Sequence, residues 1–449
     1  MNRSPEQLRR DLRRIWQAGV DAVAPERLVR KTLRVEGPVL VVGEERIALD
    51  GIGRLAVVGA GKAGAGMAAA VEEVLGPQWI ERKRLVGWVN VPEDTVRPLS
   101  RIRLYGARPP GVNEPTEAGV AGTAEILKIV ESLGPDDLCL CLISGGGSAL
   151  MPSPVEGITL ADKLAVTRHL SGAGANIEQL NAVRKQLSRI KGGGLGRACR
   201  AGRLASLIIS DVLGDPLDVI ASGPTVEDSS TPEQALAVLD KFHAREAGIS
   251  DRVFDYLRSK GSEARQGPSA RVANWIIGNN ATAVDAASEQ AVRLGYSPAL
   301  ISARQSEGLA EEVGRHLAGM ALTMRSQPGP DCLVSGGEPV VRLVDRQRRG
   351  LGGRNQQLVL AAVEAFWEAG AEGIALLSGG TDGEDGPTDA AGAWIDAEVL
   401  EDAQSRRLDP ADHLARNDAY HFFEPLGALI NTGPTGTNVC DLRIVLVAR

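Results

Sequence analysis

Residues 54–76 read RLAVVGAGKAGAGMAAAVEEVLG, and this stretch decides the fold class. Its apolar start predicts a buried strand, the glycines that follow predict a tight turn, and the alanine-rich remainder predicts a helix. Further short apolar strands, with room for helices between them, read RLVGWVN, DLCLCLISGGG and LASLIISDVLGD. Alternating strands and helices predict a largely parallel sheet with helices on both faces.

A second set of strands follows two turn-rich stretches, which begin at Ser222 and Ser259. These strands are predicted in VANWIIGN, SPALIS, DCLVSGGEPVVRL, IALLSGGTDGEDG and LRIVLVA. We therefore predict two α/β lobes, residues 1–245 and a smaller lobe of residues 246–449, with the active site in the cleft.

Two shorter patterns precede the strand that begins near residue 54. A helix is predicted near the N-terminus, with Ser4 as its cap, Pro5 in its first turn and Gln7 completing a capping box. Its apolar face carries Leu8, Leu12, Ile15 and Trp16. Residues 32–50, TLRVEGPVLVVGEERIALD, alternate around turn residues and predict a short antiparallel meander.

Composition excludes several classes of protein. The 449 residues carry a formal net charge of −7, which favours neither nucleic acid nor an anionic membrane as a partner. No apolar run has the length needed to span a bilayer, and the charged N-terminal stretch is unlike a secretory signal. The five cysteines form no C-x-x-C motif, so we expect reduced, buried thiols in a cytoplasmic protein.

Strand ends followed by Ser-Gly-Gly occur three times, at Ser144, Ser335 and Ser378. The first copy extends to SGGGS, where three side-chain-free residues indicate that something approaches the backbone closely. Ligands of open α/β sheets bind at the carboxyl ends of strands, so the three copies favour one shared binding cleft. Ordinary tight turns are the alternative.

The glycines at 59, 61 and 64 spell G-x-G-x-x-G after a strand, the fingerprint of dinucleotide-binding proteins. The acidic residue that should close the next strand is missing, because that strand ends in Asn90. This weakens an oxidoreductase interpretation. The Walker A pattern does not occur either.

Basic residues stand at two predicted helix starts. Lys62 and Arg354 each follow a glycine turn, and a cation at a helix N-terminus opposes the helix dipole. A bound phosphate or carboxylate explains such a placement, and a solvated surface side chain is the alternative. A third basic segment, NAVRKQLSRIKGGG, places Arg184, Lys185 and Lys191 near a glycine run that could hold phosphates, with a solvated charged face as the alternative.

Carboxylates concentrate in two predicted loops. Asp211 and Asp215 follow one strand, and Asp382, Asp385 and Asp389 lie in TDGEDGPTD. Mg²⁺ is usually bound by one or two carboxylates together with substrate phosphates, while Asp-Gly pairs also form simple turns. Glycine loops, inward cations and carboxylates without Walker or protein-kinase motifs together favour phosphoryl transfer.

The motifs GAGKAG, SGGGSAL, NAVRKQLSRIKGG, SDVLGDPLDVIASGPT, GGRNQQ, SGGTDGEDGPTDAAGA and TGPTGTNVCDL occur in the order found in class II glycerate kinases, and the chain resembles that family from about Leu8 to its end. The resemblance implies transfer of the γ-phosphate of ATP to the 2-hydroxyl of D-glycerate, with Mg²⁺. It also implies a Rossmann-like N-terminal lobe, a smaller C-terminal lobe and small-molecule substrates only, and it leaves a homodimer open.

The resemblance also assigns residues to roles. It implies that Lys62, Arg354 and Asp211 are catalytic and that Asp382 and Asp385 bind metal. The nucleotide or phosphate would contact Gly145, Gly146, Gly147, Ser148, Lys191, Gly379, Thr435 and Asn438.

Two positions depart from the family pattern. Arg108-Pro109-Pro110 stands where many members have a His-Pro element, and Gly194 stands where a basic residue is common. Another hydroxy acid therefore stays open as the substrate. A hydroxypyruvate reductase and a non-catalytic sugar-phosphate or nucleotide sensor are the alternative functions.

Overall fold

The structure is a computed structural model that describes residues 3–260 and 270–448. Its α-helices are α1 (Pro5–Ala22), α2 (Pro25–Thr32), α3 (Gly64–Arg82), α4 (Glu117–Glu131), α5 (Gly147–Leu150), α6 (Leu160–Gly172), α7 (Ile177–Gln186), α8 (Gly194–Ala198), α9 (Pro232–Lys241), α10 (Asp251–Ser259), α11 (Asn280–Arg293), α12 (Ala310–Ser326), α13 (Arg354–Phe366), α14 (Ala397–Ser405), α15 (Pro410–Ala415) and α16 (Ala419–Phe423). Its strands are β1 (Leu33–Glu36), β2 (Val39–Val42), β3 (Glu45–Ala48), β4 (Leu55–Ala60), β5 (Val86–Pro92), β6 (Ile102–Arg108), β7 (Leu138–Ile143), β8 (Arg203–Ile209), β9 (Arg271–Gly278), β10 (Pro298–Ser302), β11 (Cys332–Gly337), β12 (Ile374–Gly380), β13 (Gly392–Asp396), β14 (Leu429–Ile430) and β15 (Asp441–Val447).

The chain forms two compact units. The parallel-sheet unit contains Pro25–Ser210 and Asp215–Ile277, and the mixed-sheet unit contains Met1–Ala24, Asp211–Gly214 and Gly278–Arg449. This division differs from the predicted boundary between residues 245 and 246, because α1 packs with the C-terminal strands while α10 and most of β9 belong to the parallel-sheet unit. The turn-rich stretch predicted from Ser259 lies mostly outside the described residues.

The parallel-sheet unit confirms the predicted α/β class. Its six strands are ordered β6-β5-β4-β7-β8-β9, and every adjacent pair from β6 to β8 is parallel. All six residues of β4 and of β7 are buried, as expected for central strands covered on both faces. Ala60 pairs with Asn90 on one side and Ile143 on the other, so the turns that follow β4 and β7 begin at the same edge of the sheet.

The mixed-sheet unit has a different sheet. Its strands are ordered β10-β11-β15-β12-β13-β14, and only the β10–β11 pair is parallel. β15 is central and runs antiparallel to both neighbours. Strand–helix alternation in the sequence predicts the α/β class but does not determine this direction, which depends on pairing between distant segments.

The second and third Ser-Gly-Gly copies lie side by side in this sheet. Ser335 and Ser378 both pair with Arg443, and Gly337 and Gly380 both pair with Asp441. The two copies therefore flank the first residue of β15. The copy at Ser144 lies in the parallel-sheet unit, so the three copies do not share one sheet edge.

Helix α1 is confirmed in its Ser4 cap and in its apolar face. Oγ of Ser4 accepts a hydrogen bond from the backbone N–H of Gln7, and Leu8, Leu12, Ile15 and Trp16 are all buried. They join the core of the mixed-sheet unit together with α11, α12, α13 and the central strands. Nε1 of Trp16 lies 3.4 Å from the carbonyl oxygen of Gly379.

Three further predictions concern smaller features. The meander is confirmed as β1, β2 and β3, which pair antiparallel. All five cysteines are buried free thiols. Across residues 3–260 and 270–448, no helix combines the length and the hydropathy that crossing a bilayer requires.

One buried carboxylate fixes the start of β6, the strand that ends at Arg108. Glu72 of α3 accepts hydrogen bonds from the backbone N–H groups of Ser100, Arg101 and Ile102, at 2.7, 2.6 and 2.7 Å. Its neighbour Glu73 forms an exposed ion pair with Arg30.

We expect Glu72→Ala to lower the free energy of unfolding by about 3 kcal/mol, because three backbone donors lose a charged acceptor. Glu73→Ala is the matched control and should cost less than about 1 kcal/mol. Urea denaturation of both variants measures the difference. Equal stability of the two variants would contradict this account of β6.

Candidate active site

The glycine turns after β4 and β7 are hydrogen bonded to each other. The N–H of Lys62 donates to the carbonyl oxygen of Gly145 at 2.8 Å, and Oγ of Ser144 accepts from the N–H of Ala63 at 3.0 Å. Gly61 has φ +151°, and a Cβ there would overlap Oγ of Ser144. Gly61 of the G-x-G-x-x-G pattern thus has a packing reason, which is the close approach of the β7 turn.

Two glycines of SGGGS have different neighbours. A Cβ at Gly147 would lie 3.0 Å from the carbonyl oxygen of Ala60, so this glycine allows backbone packing. Gly146 has φ +76°, and the nearest atom to a Cβ there is Cγ of Lys62 at 3.6 Å. A Cβ at Gly146 would therefore make only ordinary van der Waals contacts, and Gly146 borders the space beside the Lys62 side chain.

That space is a cavity of about 370 Å³ within the parallel-sheet unit. Gly146, Ser148 and Ser222 form part of its wall. Five basic side chains also line it. Arg168 pairs with Glu114, and the other four come from the end of β6, from α6, from α7 and from the segment after α7; they are Arg108, Lys163, Arg184 and Lys191. Apolar residues complete the wall, among them Leu160, Leu164, Ile177 and Val219.

Two of these cations converge on the hydroxyl of Ser148. Nζ of Lys191 donates to Oγ of Ser148 at 2.5 Å and to its carbonyl oxygen at 3.0 Å, and Nη2 of Arg184 lies 2.7 Å from the same Oγ. Oγ of Ser222 is 3.2 Å from Oγ of Ser148. The neighbouring Lys185 is placed differently, since its Nζ is 3.4 Å from a carboxylate oxygen of Asp228.

The cavity carries a positive charge that its own carboxylates do not balance. Among the described residues that line it, Glu114 is the one carboxylate, and it pairs with Arg168 at the surface. Burial lowers the pKa of Lys163 to about 7, and burial next to Arg184 and Lys163 lowers the pKa of Lys191 well below its usual value. Clustered, desolvated cations of this kind are typical of an anion-binding site.

In the mixed-sheet unit, Arg354 occupies the first position of α13 and pairs with carboxylates of the chain. Its Nε and Nη2 donate to the two carboxylate oxygens of Asp441 at 2.8 and 2.9 Å, and its Nη1 is 3.0 Å from Glu338. These carboxylates raise the pKa of Arg354 above its usual value, although burial opposes them. Asp441 is fully buried while the Arg354 side chain is 33% exposed, so the two form a partly buried, bidentate ion pair.

Asp385 caps the same helix. Its Oδ1 accepts from the backbone N–H and the side-chain amide of Asn355, and its Oδ2 accepts from the N–H of Gln356 at 2.8 Å. Burial, with Asp441 nearby, raises its pKa to about 7. Both oxygens of this predicted metal ligand are therefore engaged by the helix N-terminus.

The other predicted residues of this unit lie in or beside its loops. Asp382 and Thr435 contact each other, because the N–H of Thr435 donates to the carbonyl oxygen of Asp382 at 3.1 Å. Asn438 accepts a hydrogen bond from the N–H of Cys440, and Sγ of Cys440 donates to the carbonyl oxygen of Asp211 at 3.1 Å.

Gly379 is covered by the Trp16 indole, whose atoms would lie 3.0 Å from a Cβ at that position. Its contact in this structure is therefore with α1.

In residues 3–260 and 270–448, no three His, Cys, Asp or Glu side chains are placed to hold a metal ion between them.

Comparison with known proteins places the chain in a family. Residues 11–258 match a domain of unknown function, DUF4147, and residues 331–441 match the MOFRL family. A D-glycerate 2-kinase of Thermotoga maritima is 37% identical over 447 residues, which cover 99% of each chain. The chain belongs to the class II glycerate kinase family.

The family assignment extends to a solved structure. The crystal structure of a glycerate kinase from Thermotoga maritima matches with a TM-score of 0.83 and 36% identity, covering 99% of this chain and all of the other. A relative from Agrobacterium vitis, named a putative hydroxypyruvate reductase, is 40% identical over 400 residues, covering 88% of this chain and all of that protein. The predicted glycerate kinase family is confirmed.

The structure gathers the predicted residues into two groups. Lys62, Ser148 and Lys191 lie with Gly145–Gly147 at one edge of the parallel sheet. Arg354 and Asp385 lie at the start of α13, and Asp382 lies in the loop that precedes Asp385.

Sequence reasoning missed Lys163 and Asp441 and did not count Arg108 among the site residues. Arg108 had a detectable signal, since it ends a strand and departs from the family pattern.

We expect Gly146→Val to weaken the binding of inorganic pyrophosphate at least about tenfold, because the new side chain would project into the cavity beside Lys62. Gly157→Val is the control, since Gly157 also has positive φ (+80°) but lies outside the cavity wall. Both variants should lose about 1–2 kcal/mol of stability. Calorimetric titration measures binding, and wild-type affinity in Gly146→Val would contradict a backbone cradle.

Arg354→Ala should lower the free energy of unfolding by about 3 kcal/mol, because it leaves the buried carboxylate of Asp441 without its partner. Arg315→Ala is the control, because Arg315 forms a comparable pair with Glu364 at the surface and its loss should cost less than about 1 kcal/mol. Thermal and urea denaturation test this. If Arg354→Ala keeps wild-type stability, the ion pair does not support the fold.

Proposed function

We propose that this protein transfers the γ-phosphoryl group of ATP to the 2-hydroxyl of D-glycerate, giving 2-phosphoglycerate and ADP. The observation that carries the proposal is the cavity in which Arg184 and Lys191 contact the Ser148 hydroxyl and Lys163 lines the wall, without a carboxylate that balances the three. Phosphoryl transfer depends mainly on positioning and on stabilising negative charge, which is what such a cavity supplies.

Residues of the cavity have distinct roles in this proposal. Lys191 and Arg184 hold the Ser148 hydroxyl and present positive charge to an anionic ligand group. Gly146 leaves its backbone open to that group, and the Lys62 side chain stands next to it. Lys62 and Asp211 keep their predicted catalytic roles as part of the proposal.

Mg²⁺ belongs to the proposal as the metal that neutralises phosphate charge. Asp382 is the more suitable of the two predicted ligands, because both oxygens of Asp385 already accept hydrogen bonds from α13. Mg²⁺ commonly takes one or two carboxylates and completes its shell with substrate phosphates and water. This suits a chain in which the described residues form no three-ligand metal cluster.

The reductase alternative has less support from the residues. The position for a ribose-binding acid at the end of the second strand is held by Asn90, whose amide donates to the carbonyl oxygen of Leu150 at 2.9 Å. The fingerprint glycine Gly61 accommodates Ser144. The name of the Agrobacterium vitis relative is the remaining argument for that activity.

Location and assembly follow the same proposal. Five buried free thiols suit a reducing compartment, which supports a cytoplasmic protein. A homodimer stays a prediction.

The deciding experiment incubates the protein with D-glycerate, ATP and Mg²⁺ and follows ADP release, with phosphorus NMR of the product. We expect the product phosphorus to couple to the single proton at C2, and we expect EDTA to abolish turnover. Lys191→Met should lower kcat/KM by about 10²–10³ because a cation next to the transferred group is lost.

Lys128→Met, at an exposed lysine of α4, is the control and should retain wild-type turnover. NADH oxidation with hydroxypyruvate in place of ADP release would refute the kinase proposal. Coupling of the product phosphorus to two protons would show that the 3-hydroxyl is phosphorylated instead.

A further inference from the structure

Lys163 is a buried cation of the cavity for which the proposed function gives no role so far. It lies on α6, is 9% exposed and lines the cavity. Its Nζ is fully buried and has no hydrogen-bond partner among residues 3–260 and 270–448. Burying an ammonium group without a hydrogen-bond partner costs free energy, and a bound anion would offset that cost. The position of Lys163 therefore points to a ligand.

The groups around Lys163 explain why its pKa is low. Arg184 from α7, Lys191 from the following segment and Arg108 from the end of β6 line the same cavity, and all three are basic. Glu114 and Arg168 at the wall neutralise each other. Leu160 and Leu164 add apolar surface. Desolvation and the charge of Arg184 therefore lower the pKa of Lys163 to about 7.

We propose that Lys163 binds an anionic oxygen group of the ligand in this cavity and takes up one proton as it does so. The proposal deepens the proposed function and rests on it for the identity of the ligand. The group is either a phosphate of the nucleotide or the carboxylate of the hydroxy acid, since both offer the negatively charged oxygens that an ammonium binds. The proton comes from the solvent, and no covalent bond changes.

The sign of the pH dependence follows from linkage. Above pH 7 the amine of the empty protein is mostly neutral, and a bound anion raises its pKa toward the usual value for lysine. The dissociation constant should therefore be constant below about pH 7 and rise up to about tenfold per pH unit above it. At pH 8 a group with a pKa of about 7 is about one-tenth protonated, so binding should take up about 0.9 proton at Lys163.

The test is calorimetric titration at pH 8 in two buffers of different ionisation enthalpy, which gives the number of protons taken up. The ligands are inorganic pyrophosphate, ADP and D-glycerate, each titrated separately. Lys163→Met should take up about 0.9 proton less than the wild type, whereas Lys128→Met should match the wild type. Lys191 also has a lowered pKa, so the difference between variants, not the total, is decisive.

The melting temperature of each variant is the control for correct folding. Methionine has a similar length and no charge to desolvate, so Lys163→Met should melt at or above the wild-type temperature. A variant that melts normally and loses proton uptake supports the binding role. The ligand that shows the loss identifies the group, ADP for a phosphate and D-glycerate for a carboxylate.

Two results would overturn the inference. One is the absence of proton uptake by the wild type with all three ligands, and the other is unchanged uptake in Lys163→Met. The pyrophosphate titration does not depend on the kinase reaction, so the two proposals fail separately. Loss of uptake in Lys163→Met without any ADP release by the wild type would uphold Lys163 as an anion-binding residue and refute the glycerate kinase activity.

Discussion

The hydrogen bonds that Ser148 receives from Lys191 and Arg184 are the interaction on which the candidate site depends. Two basic side chains approach one hydroxyl in a cavity that is partly apolar. Bringing them together away from water costs free energy when no anion is bound. It persists because the surrounding elements hold each cation in place. The β4 and β7 turns are hydrogen bonded to each other, and β6 and α7 are fixed by buried groups of their own. The stability of the fold thus maintains a charge arrangement that a bound anion would relieve.

The sequence was sufficient for features that local patterns determine. Consecutive buried residues predict β4 and β7, and the spacing of Leu8, Leu12 and Trp16 predicts the buried face of α1. It was insufficient for features that depend on distant partners. Antiparallel pairing of β15 with β12 and with β11 joins residues such as Gly380 and Asp441, 61 positions apart, and Cys332 and Leu446, 114 positions apart, and no local signal encodes it. Lys163 is hidden for a similar reason, since α6 has the polar composition of an ordinary surface helix.

Identical motifs turned out to have different physical causes. The Ser-Gly-Gly copy in β11 is glycine-rich because a Cβ at Gly336 would overlap the side-chain amide of Asn280. In β12 the neighbour of Gly379 is Trp16. In the β7 turn, by contrast, Gly146 faces a cavity. A glycine pattern therefore records that something comes close to the backbone, and the fold alone reveals whether that neighbour is the chain itself or open space.

The position of α1 in the mixed-sheet unit has a consequence for biosynthesis. Trp16 meets Gly379 across 363 residues of chain. At a translation rate of 5–20 residues per second, the apolar face of α1 waits roughly 20–70 s for the strands that cover it. The parallel-sheet residues emerge and can fold during that interval. During that interval the apolar face of α1 is exposed on the nascent chain, which makes this helix a target for chaperones that protect unfinished proteins from aggregation.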